Sequence, residues 1–236
     1  MDLSLATFAG AALCIGLGAV GSALGEGLTA GRAAEAIARQ PQAAPVILRT
    51  MLVGQAVAES ASIFALVVAL LLLFGPDSGP LLRGVALFSA GLCMGAGAFG
   101  PGYGSGLPSA AACTAVGRNP ARAPRINTTM LVSQAVAQTP SIFALLVAFL
   151  LMFRSQPPEF SLAGAAALLG AAIAAGVSAT GPGIGAGFAG AAACDGTARR
   201  PDRAPLILRT MLVGQAVSQS TSVYGLVVAL VLLYVV

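Results

Sequence analysis

Glu59 is the residue whose type and position point most directly to chemistry. It is the only charged residue between Thr50 and Phe74, an apolar run of 25 residues. At ~1.5 Å rise per residue, a helix of that length crosses the ~30 Å hydrocarbon core of a bilayer. A carboxylate near the middle of such a helix is costly and usually marks an ion pathway. We therefore interpret Glu59 as an ion carrier; the alternative is a protonated acid that only bridges two helices.

Glu26 is expected to lie beside Glu59. It precedes Arg39 by 13 residues, and Glu59 follows Pro41 by 18 residues, so an antiparallel hairpin brings both carboxyl groups to a similar depth. Two carboxyl groups in a low dielectric cannot both stay charged. The pair is predicted to share one proton, which leaves one charge for a second proton or a Na+. The alternative for Glu26 is a half-solvated charge near the cytoplasmic end of its helix.

The composition indicates an integral membrane protein. Of the 236 residues, 57% are hydrophobic and 8% are charged, with a mean hydropathy of +0.90, whereas soluble domains carry about 25% charged residues. The absence of His excludes the usual His-based metal sites and acid–base catalysis. Four scattered Cys form no zinc or disulfide pattern, and no aromatic platform indicates nucleic acid binding. The apolar N-terminus is interpreted as a repeat helix, not a cleaved signal peptide.

The chain contains three copies of one helical hairpin. The sequence LRTMLVGQAV at 48–57 recurs at 208–217, and TMLVSQAV at 129–136 is the middle copy. We predict an all-α membrane protein whose six transmembrane helices form three tandem hairpins, at residues 1–76, 77–157 and 158–236. The predicted helices are 3–37, 43–74, 81–117, 122–153, 160–198 and 203–235.

Charges predict the orientation in the membrane. Ten of the twelve Arg lie in or beside the three hairpin loops, whereas the linkers between hairpins hold only Arg83 and Arg154. By the positive-inside rule the hairpin loops are cytoplasmic. Both termini and both linkers then lie on the opposite side of the membrane.

Glycines recur at matching positions in the first helix of each hairpin, for example Gly21, Gly100 and Gly181. Small residues let helices approach closely in a membrane. The first helices are therefore predicted to form an inner layer and the bulkier second helices an outer layer, in an assembly that closes into a ring. Pro101 and Pro182 lie mid-helix and are expected to kink or locally adjust their helices.

The chain resembles the rotor-ring c subunit of F-type ATP synthases over its whole length, three times. The resemblance rests on the Gly-rich first helix, the loop at 38–41 and the motif GQAVAES at 54–60. It implies a ring of copies of this chain, embedded in lipid, that turns against a stator a subunit and engages the central stalk. It also implies a subunit that is not catalytic by itself and binds no cofactor, only a transported H+ or Na+.

The resemblance also implies the functional residues. The ion-binding residues are Glu59, Glu26, Ser60, Val57 through its carbonyl, and Gln55, with a Na+ held by Glu59, Glu26 and Ser60. The stalk is expected to contact the three hairpin loops at Arg39, Gln40, Pro41, Arg118, Asn119, Pro120, Arg199, Arg200 and Pro201.

The chain departs from the family pattern in its second and third hairpins. Gln138 and Gln219 replace the carboxylate, and a neutral amide cannot exchange a proton or balance a cation. These two hairpins are predicted to be silent. Glu26 stands where sodium-binding members commonly have Gln, and the other copies have Ser105 and Ala186 there. With one carboxylate in three hairpins, we expect a ring geared towards ATP-driven pumping.

Three alternatives stay open at this point. Fused hairpins with a lost carboxylate also resemble the proteolipids of V-type ATPases, which serve dedicated ion pumps. A six-helix secondary transporter is a second alternative, although transporter repeats are usually inverted or form two halves. A structural, channel-forming oligomer is a third, and it leaves Glu59 unexplained.

Overall fold

A computed structural model describes residues 3–75 and 79–234, and it confirms the six long apolar helices. The second predicted helix is described as two segments that meet at Glu59, so the helical segments number seven within the described ranges. Their bounds are α1 Leu3–Arg39, α2 Ala44–Ala58, α3 Ser60–Phe74, α4 Leu81–Arg118, α5 Ala123–Phe153, α6 Leu162–Arg199 and α7 Ala204–Tyr234.

The hairpin loops have the same construction in all three copies. Each first helix ends in an Arg, where a cation interacts favourably with the negative end of the helix dipole. A proline then opens a single 3₁₀ turn, at Pro41–Ala43, Pro120–Arg122 and Pro201–Arg203. A second proline stands in the first turn of the following helix, where its missing N–H costs no hydrogen bond. The PxxxP spacing therefore produces three tight reversals.

The helices form two layers. The first helices α1, α4 and α6 pack side by side, with α4 in the middle. The outer helix of hairpin 1, formed by α2 and α3, packs on both α1 and α4, and α5 packs on both α4 and α6. Helix α7 packs on α6 but has no further inner helix beside it among the described residues. The chain is therefore one sector of a two-layer arrangement with an open edge at α7 and another at α1.

Glycines bring the inner helices close together. A Cβ atom at Gly21 would overlap the backbone of Phe99, and one at Gly100 would overlap the backbone of Thr180. Gly104 faces the Gly183 backbone in the same way. The predicted inner layer of small residues thus consists of direct backbone contacts between α1, α4 and α6, which only residues without a side chain permit.

Helix α5 continues through Pro140, and α4 and α6 continue through Pro101 and Pro182. Helix α2 runs into α3 through Glu59, whose backbone is helical (φ −66°, ψ −22°). Both helical hydrogen bonds are present there, from the Glu59 N–H to the Gln55 carbonyl and from the Ile63 N–H to the Glu59 carbonyl. Gln138 and Gln219 occupy the matching positions in α5 and α7, and both of those helices are continuous there.

The predicted boundary between residues 76 and 77 lies outside the described residues. The second predicted boundary, between 157 and 158, lies in the linker that joins Phe153 at the end of α5 to Leu162 at the start of α6. Ser161 caps α6, because its hydroxyl accepts a hydrogen bond from the Gly164 N–H at 3.0 Å. The last predicted helix ends at residue 235, which also lies outside the described residues.

Replacing Gly104 by Ala should destabilise the bundle, because the new methyl group would collide with the Gly183 backbone. We expect a loss on the order of 1–3 kcal/mol, typical of overpacking. Gly31→Ala is the matched control: nothing lies within 4 Å of a Cβ there, and the matching positions in the other copies, Ala110 and Ala191, are already Ala. The thermal unfolding temperature in detergent measures both variants. Equal unfolding temperatures would contradict the close-packed inner layer.

Candidate ion-binding site

Glu59 lies on the outer layer at the junction of α2 and α3, and its side chain is exposed in the single chain. Within the described residues, the hydrogen bonds at Glu59 involve its backbone. Its N–H donates to the Gln55 carbonyl at 2.9 Å, and its carbonyl accepts from the Ser62 hydroxyl at 2.8 Å and from the Ile63 N–H at 3.1 Å. The carboxylate is therefore available to a partner outside this chain.

Glu26 lies at the same level on α1. The side-chain amide of Gln55 donates to the Glu26 carbonyl at 3.1 Å, which ties the two helices of hairpin 1 together one turn before Glu59. Glu26 is half-buried. The fold thus brings Glu26, Gln55 and Glu59 together, as their spacing from the hairpin loop predicts.

The silent positions are occupied by hydrogen-bonded amides. Gln138 Nε2 donates to the Val57 carbonyl oxygen of hairpin 1 at 3.1 Å and to Ser105 Oγ of its own hairpin at 3.0 Å. Gln219 Nε2 donates to the Val136 carbonyl oxygen of hairpin 2 at 2.9 Å. Each Gln therefore closes the contact between its own hairpin and the preceding one. We call these contacts the first seam, between hairpins 1 and 2, and the second seam, between hairpins 2 and 3.

The structure places the remaining predicted site residues in different surroundings. The Val57 carbonyl, predicted as a ligand beside Glu59, faces the first seam and accepts the Gln138 amide. Ser60 follows Glu59 directly and is half-buried at the start of α3. Among the described residues no three His, Cys, Asp or Glu side chains cluster as a metal site. A Na+ bound by Glu59 and Glu26 would therefore need hydroxyl and carbonyl oxygens for its other ligands.

A second glutamine crosses each seam one turn earlier. Gln134 Nε2 donates to the Gly54 carbonyl at 2.8 Å and to the Ser105 carbonyl at 2.9 Å. Gln215 Nε2 donates to Ser133 Oγ and to the Ala186 carbonyl, both at 2.8 Å. Within the described residues Gln55 has only the second kind of bond, to the Glu26 carbonyl of its own hairpin. The missing bond marks the edge where a neighbour would fit.

Several residues near the level of Glu59 were not predicted from the sequence. Ser62, like Ser141 and Ser222 in the other copies, hydrogen-bonds the carbonyl three residues before it. The signal was available, because a Ser recurs at this spacing in all three copies. Thr50 and Asn127 also form a side-chain bond of 3.0 Å across the first seam. That bond could not be found from the repeat, because the positions matching Asn127 are Leu48 and Leu208.

The predicted stalk loops lie at one end of the bundle, where the Arg side chains are mostly exposed. Arg39 and Arg199 keep 75% and 68% of their side-chain surface accessible, although each pairs with an acid of its own helix. Asp195 binds both Arg118 of hairpin 2 and Arg199 of its own helix. This acid therefore joins the second and third loops into one surface.

Comparison with known proteins places this arrangement in a family. The family model of the ATP synthase C subunit matches residues 9–72, 88–151 and 169–232, once in each hairpin. The chain therefore belongs to the ATP synthase C-subunit family, whose members form ion-translocating rotor rings. This membership removes the grounds for a secondary transporter or a purely structural channel.

Individual relatives each match a single hairpin length of the chain. The second ATP synthase c subunit of Cereibacter sphaeroides is 51% identical over 72 residues, which is 30% of this chain and 87% of that protein. The ATP synthase c subunit of Alkaliphilus oremlandii is 53% identical over 75 residues, or 32% of this chain and 78% of the relative. The corresponding protein of Thermotoga petrophila is 46% identical over 78 residues, or 31% and 92%. The chain is thus similar to about three such proteins in one polypeptide.

Removing Glu26 should weaken ion binding at Glu59, because one carboxyl ligand is lost beside it. We expect Glu26→Ala to lower the apparent ion affinity about tenfold, the effect of losing one ligand worth ~1.4 kcal/mol. The measurement is the labelling of Glu59 by a hydrophobic carbodiimide, and its protection by Na+ or by low pH. The substitution should also shift the pH dependence of this labelling.

The matched control for this prediction is Glu35→Gln. Glu35 is on the same helix, but its ion pairs with Arg32 and Arg39 are exposed and contribute little. It should leave the labelling of Glu59 as it is in the unmodified chain. A Glu26→Ala profile that also matches the unmodified chain would contradict the pairing of the two carboxyl groups.

Proposed function

We propose that this chain is the subunit of a homomeric rotor ring that carries H+ or Na+ across the membrane through Glu59. The ring would turn against the a subunit of the stator, and its rotation would be coupled to the central stalk of a rotary ATP synthase or ATPase. One observation carries the proposal. Both seams inside the chain are closed by the same side-chain-to-carbonyl bond, and Glu59 stands at the open edge where a third such bond needs a partner.

The internal repeat identifies that partner. Gln138 bonds Val57 of the preceding hairpin, and Gln219 bonds Val136 of the preceding hairpin. By the same relation, Glu59 would meet the carbonyl of Val217 in hairpin 3 of a neighbouring copy. Val217 is 69% exposed in the single chain. Its carbonyl accepts a bond from the Ser220 hydroxyl at 2.7 Å in the single chain, a bond that Glu59 of the neighbouring copy would replace.

Other contacts support the same seam between copies. Gln134 and Gln215 each bond a residue of the preceding hairpin, so Gln55 would bond the Gly214 carbonyl of the neighbour. A Cβ atom built on Gly214 would have no atom of another helix within 4 Å, so this side of α7 is open.

The inner layer would close in the same register. Gly21 packs on Phe99 and Gly100 packs on Thr180, so Gly181 would pack on Val20 of the next copy. Gly181 has open space around it in the single chain, and Val20 is 48% exposed. Both edges of the sector therefore present the halves of a contact that the chain already makes twice.

The ion at this seam would be held by oxygen atoms. Glu59 and Glu26 supply carboxyl groups, the Ser60 hydroxyl lies next to Glu59, and the neighbour supplies the Val217 carbonyl. As a protonated acid, Glu59 could donate to that carbonyl as the Gln138 amide does to Val57. As a carboxylate, it could share a Na+ with the same oxygens. Protection of carbodiimide labelling by Na+ indicates the sodium alternative, and protection by low pH alone indicates protons.

The orientation follows from the Arg-rich loops. The positive-inside rule puts the loops at Arg39, Arg118 and Arg199 on the cytoplasmic side and both termini on the other. The exposed loop surface is basic, with Asp195 joining its second and third parts. We propose that the central stalk docks on this surface of nine loop residues.

The loss of two carboxylates favours pumping over synthesis. A homomeric ring would carry one ion per chain in each turn, which is one third of its hairpins. Each charge falling through 100 mV yields ~2.3 kcal/mol, so a given potential would do one third of the work per turn. ATP hydrolysis could then drive fewer ions against a steeper gradient. The same loss supports the alternative of a dedicated pump similar to V-type ATPases.

Replacing Glu59 by Gln should abolish coupled transport, because no other residue in the middle of an outer helix can exchange an ion. We expect ATP-driven uptake in proteoliposomes to fall to the level of liposomes without enzyme. A hydrophobic carbodiimide should modify Glu59 in the unmodified chain and block its transport. Glu159→Gln, in the exposed linker, is the control and should transport normally. Full transport by Glu59→Gln would refute the assignment.

The number of ions moved per ATP tests the predicted number of ions carried per turn of the ring. We expect each turn of the ring to move as many ions as there are chains, because each chain has one carboxylate in this position. Reconstituted enzyme gives the ratio of ions to ATP, and mass spectrometry of the isolated ring gives its composition. An ion count equal to the number of hairpins would overturn the prediction, and so would a ring mixed with single-hairpin subunits.

A further inference from the structure

Gln138 lies where an ion-binding carboxylate would lie, and its amide nitrogen is held by two oxygens. These are the Val57 carbonyl at 3.1 Å and the Ser105 hydroxyl at 3.0 Å. Ser105 is fully buried, and only 7% of the Gln138 surface is exposed. A carbonyl and a hydroxyl oxygen are also what a proton on a carboxyl group, or a small cation beside it, would contact.

Gln219 reproduces only part of this arrangement. Its amide donates to the Val136 carbonyl at 2.9 Å, and this carbonyl is free for it because Pro140, four residues later, has no N–H to donate. Ala186 occupies the position that matches Ser105, and it is fully buried. The second seam therefore offers a carbonyl but no hydroxyl at this point.

Each seam also contains an unpaired acceptor. Gln134 Oε1, one turn before Gln138, is buried and has no hydrogen-bond partner among the described residues. Gln215 Oε1 repeats this in the second seam. Buried acceptors without a partner are uncommon and cost free energy, so a cation or a water molecule in the seam would be stabilised by them. Both seams have this acceptor, and at the level of Gln138 and Gln219 they differ in Ser105 against Ala186.

We propose that Gln138 is a built-in substitute for the transported ion, and that the first seam is a dormant second ion site closed by its amide. The site would take the same H+ or Na+ that Glu59 carries. The second seam, closed by Gln219, lacks the hydroxyl and is a poorer site. This proposal rests on the proposed function, because it assumes that Glu59 exchanges ions in the equivalent position of hairpin 1.

The chemistry of the amide explains why a single change would open the site. A carboxylate has the same shape as the amide but replaces its donor by a second acceptor. In Gln138→Glu, two acceptor oxygens would then face each other, one from the new carboxylate and one from Val57. A proton or a Na+ between them removes that repulsion. The native amide supplies its own hydrogens, so the seam stays closed at every ion concentration.

The test uses chains whose native carrier is removed by Glu59→Gln, assembled in the complete rotary enzyme. Gln138→Glu and Gln219→Glu are each added to this background. The probe is a hydrophobic carbodiimide, with the modified residue located by mass spectrometry. Labelling is measured against pH and against added Na+. We expect the position 138 carboxyl to be protected by the ion that protects Glu59 in the unmodified chain. Protection at position 219 should need about tenfold more of it, for one lost ligand.

Two matched variants isolate the hydroxyl. Adding Ser105→Ala to Gln138→Glu should reduce the protection to the level of Gln219→Glu. Adding Ala186→Ser to Gln219→Glu should raise its protection towards that of Gln138→Glu. Equal protection at the two positions, or protection that does not depend on residues 105 and 186, would overturn the proposal. So would labelling at position 138 that no ion affects.

A second measurement does not depend on the Glu59→Gln background. Gln138→Glu alone in the otherwise unmodified chain should double the ions moved per ATP, and Gln219→Glu should raise them less. An unchanged ratio for Gln138→Glu overturns the dormant site while leaving Glu59 as carrier. If Glu59 itself shows no ion-dependent protection in the unmodified enzyme, the proposed function fails first. The two failures are therefore distinguishable.

Discussion

The structure depends on one constraint: a polar group in the hydrocarbon core must find its partner inside the protein. At the level of Glu59, that partner is a backbone carbonyl on the preceding hairpin. Gln138 and Gln219 satisfy the constraint with their amides, which bond Val57 and Val136. Such bonds need outer helices within hydrogen-bonding reach of each other. The glycine contacts of α1, α4 and α6 provide this closeness by letting the inner backbones touch.

The three hairpins carry different groups at three similar positions. In hairpins 2 and 3 the seam is closed by neutral amides, which have no charge to exchange. In hairpin 1 the carboxyl group is exposed at one edge of the described structure. A ring built from such chains would alternate one exchangeable seam with two permanent ones. The stiffness of the ring and the number of ions it carries per turn would then depend on different seams.

Much of the fold could be predicted from the sequence because the repeat reports the same elements three times. The proline spacing placed the loops, and the uncharged runs placed the six helices. The glycine pattern indicated the inner layer. By contrast, the contacts across the seams could not be predicted, because a bond such as that between Thr50 and Asn127 has no equivalent in the other copies.

The candidate site was predicted in part for a related reason. Glu59, Glu26 and the silent Gln138 and Gln219 are visible as residue types at fixed depths. The partner of each is not, because it comes from the neighbouring hairpin and depends on packing that one hairpin's sequence does not describe. The carbonyl of Val57 illustrates this: its position in the motif suggests a ligand for Glu59, whereas it lies across the first seam and accepts the Gln138 amide.

A structure of the intact ring at a resolution that shows side chains tests the central claim most directly. We predict that copies of this chain alone close the ring, and that each Glu59 carboxyl lies within coordination or hydrogen-bond distance of the Val217 carbonyl of the next copy. There would be one such site for every three hairpins. A Glu59 carboxyl without a neighbour's carbonyl beside it, or a different subunit inserted at that seam, would contradict the claim.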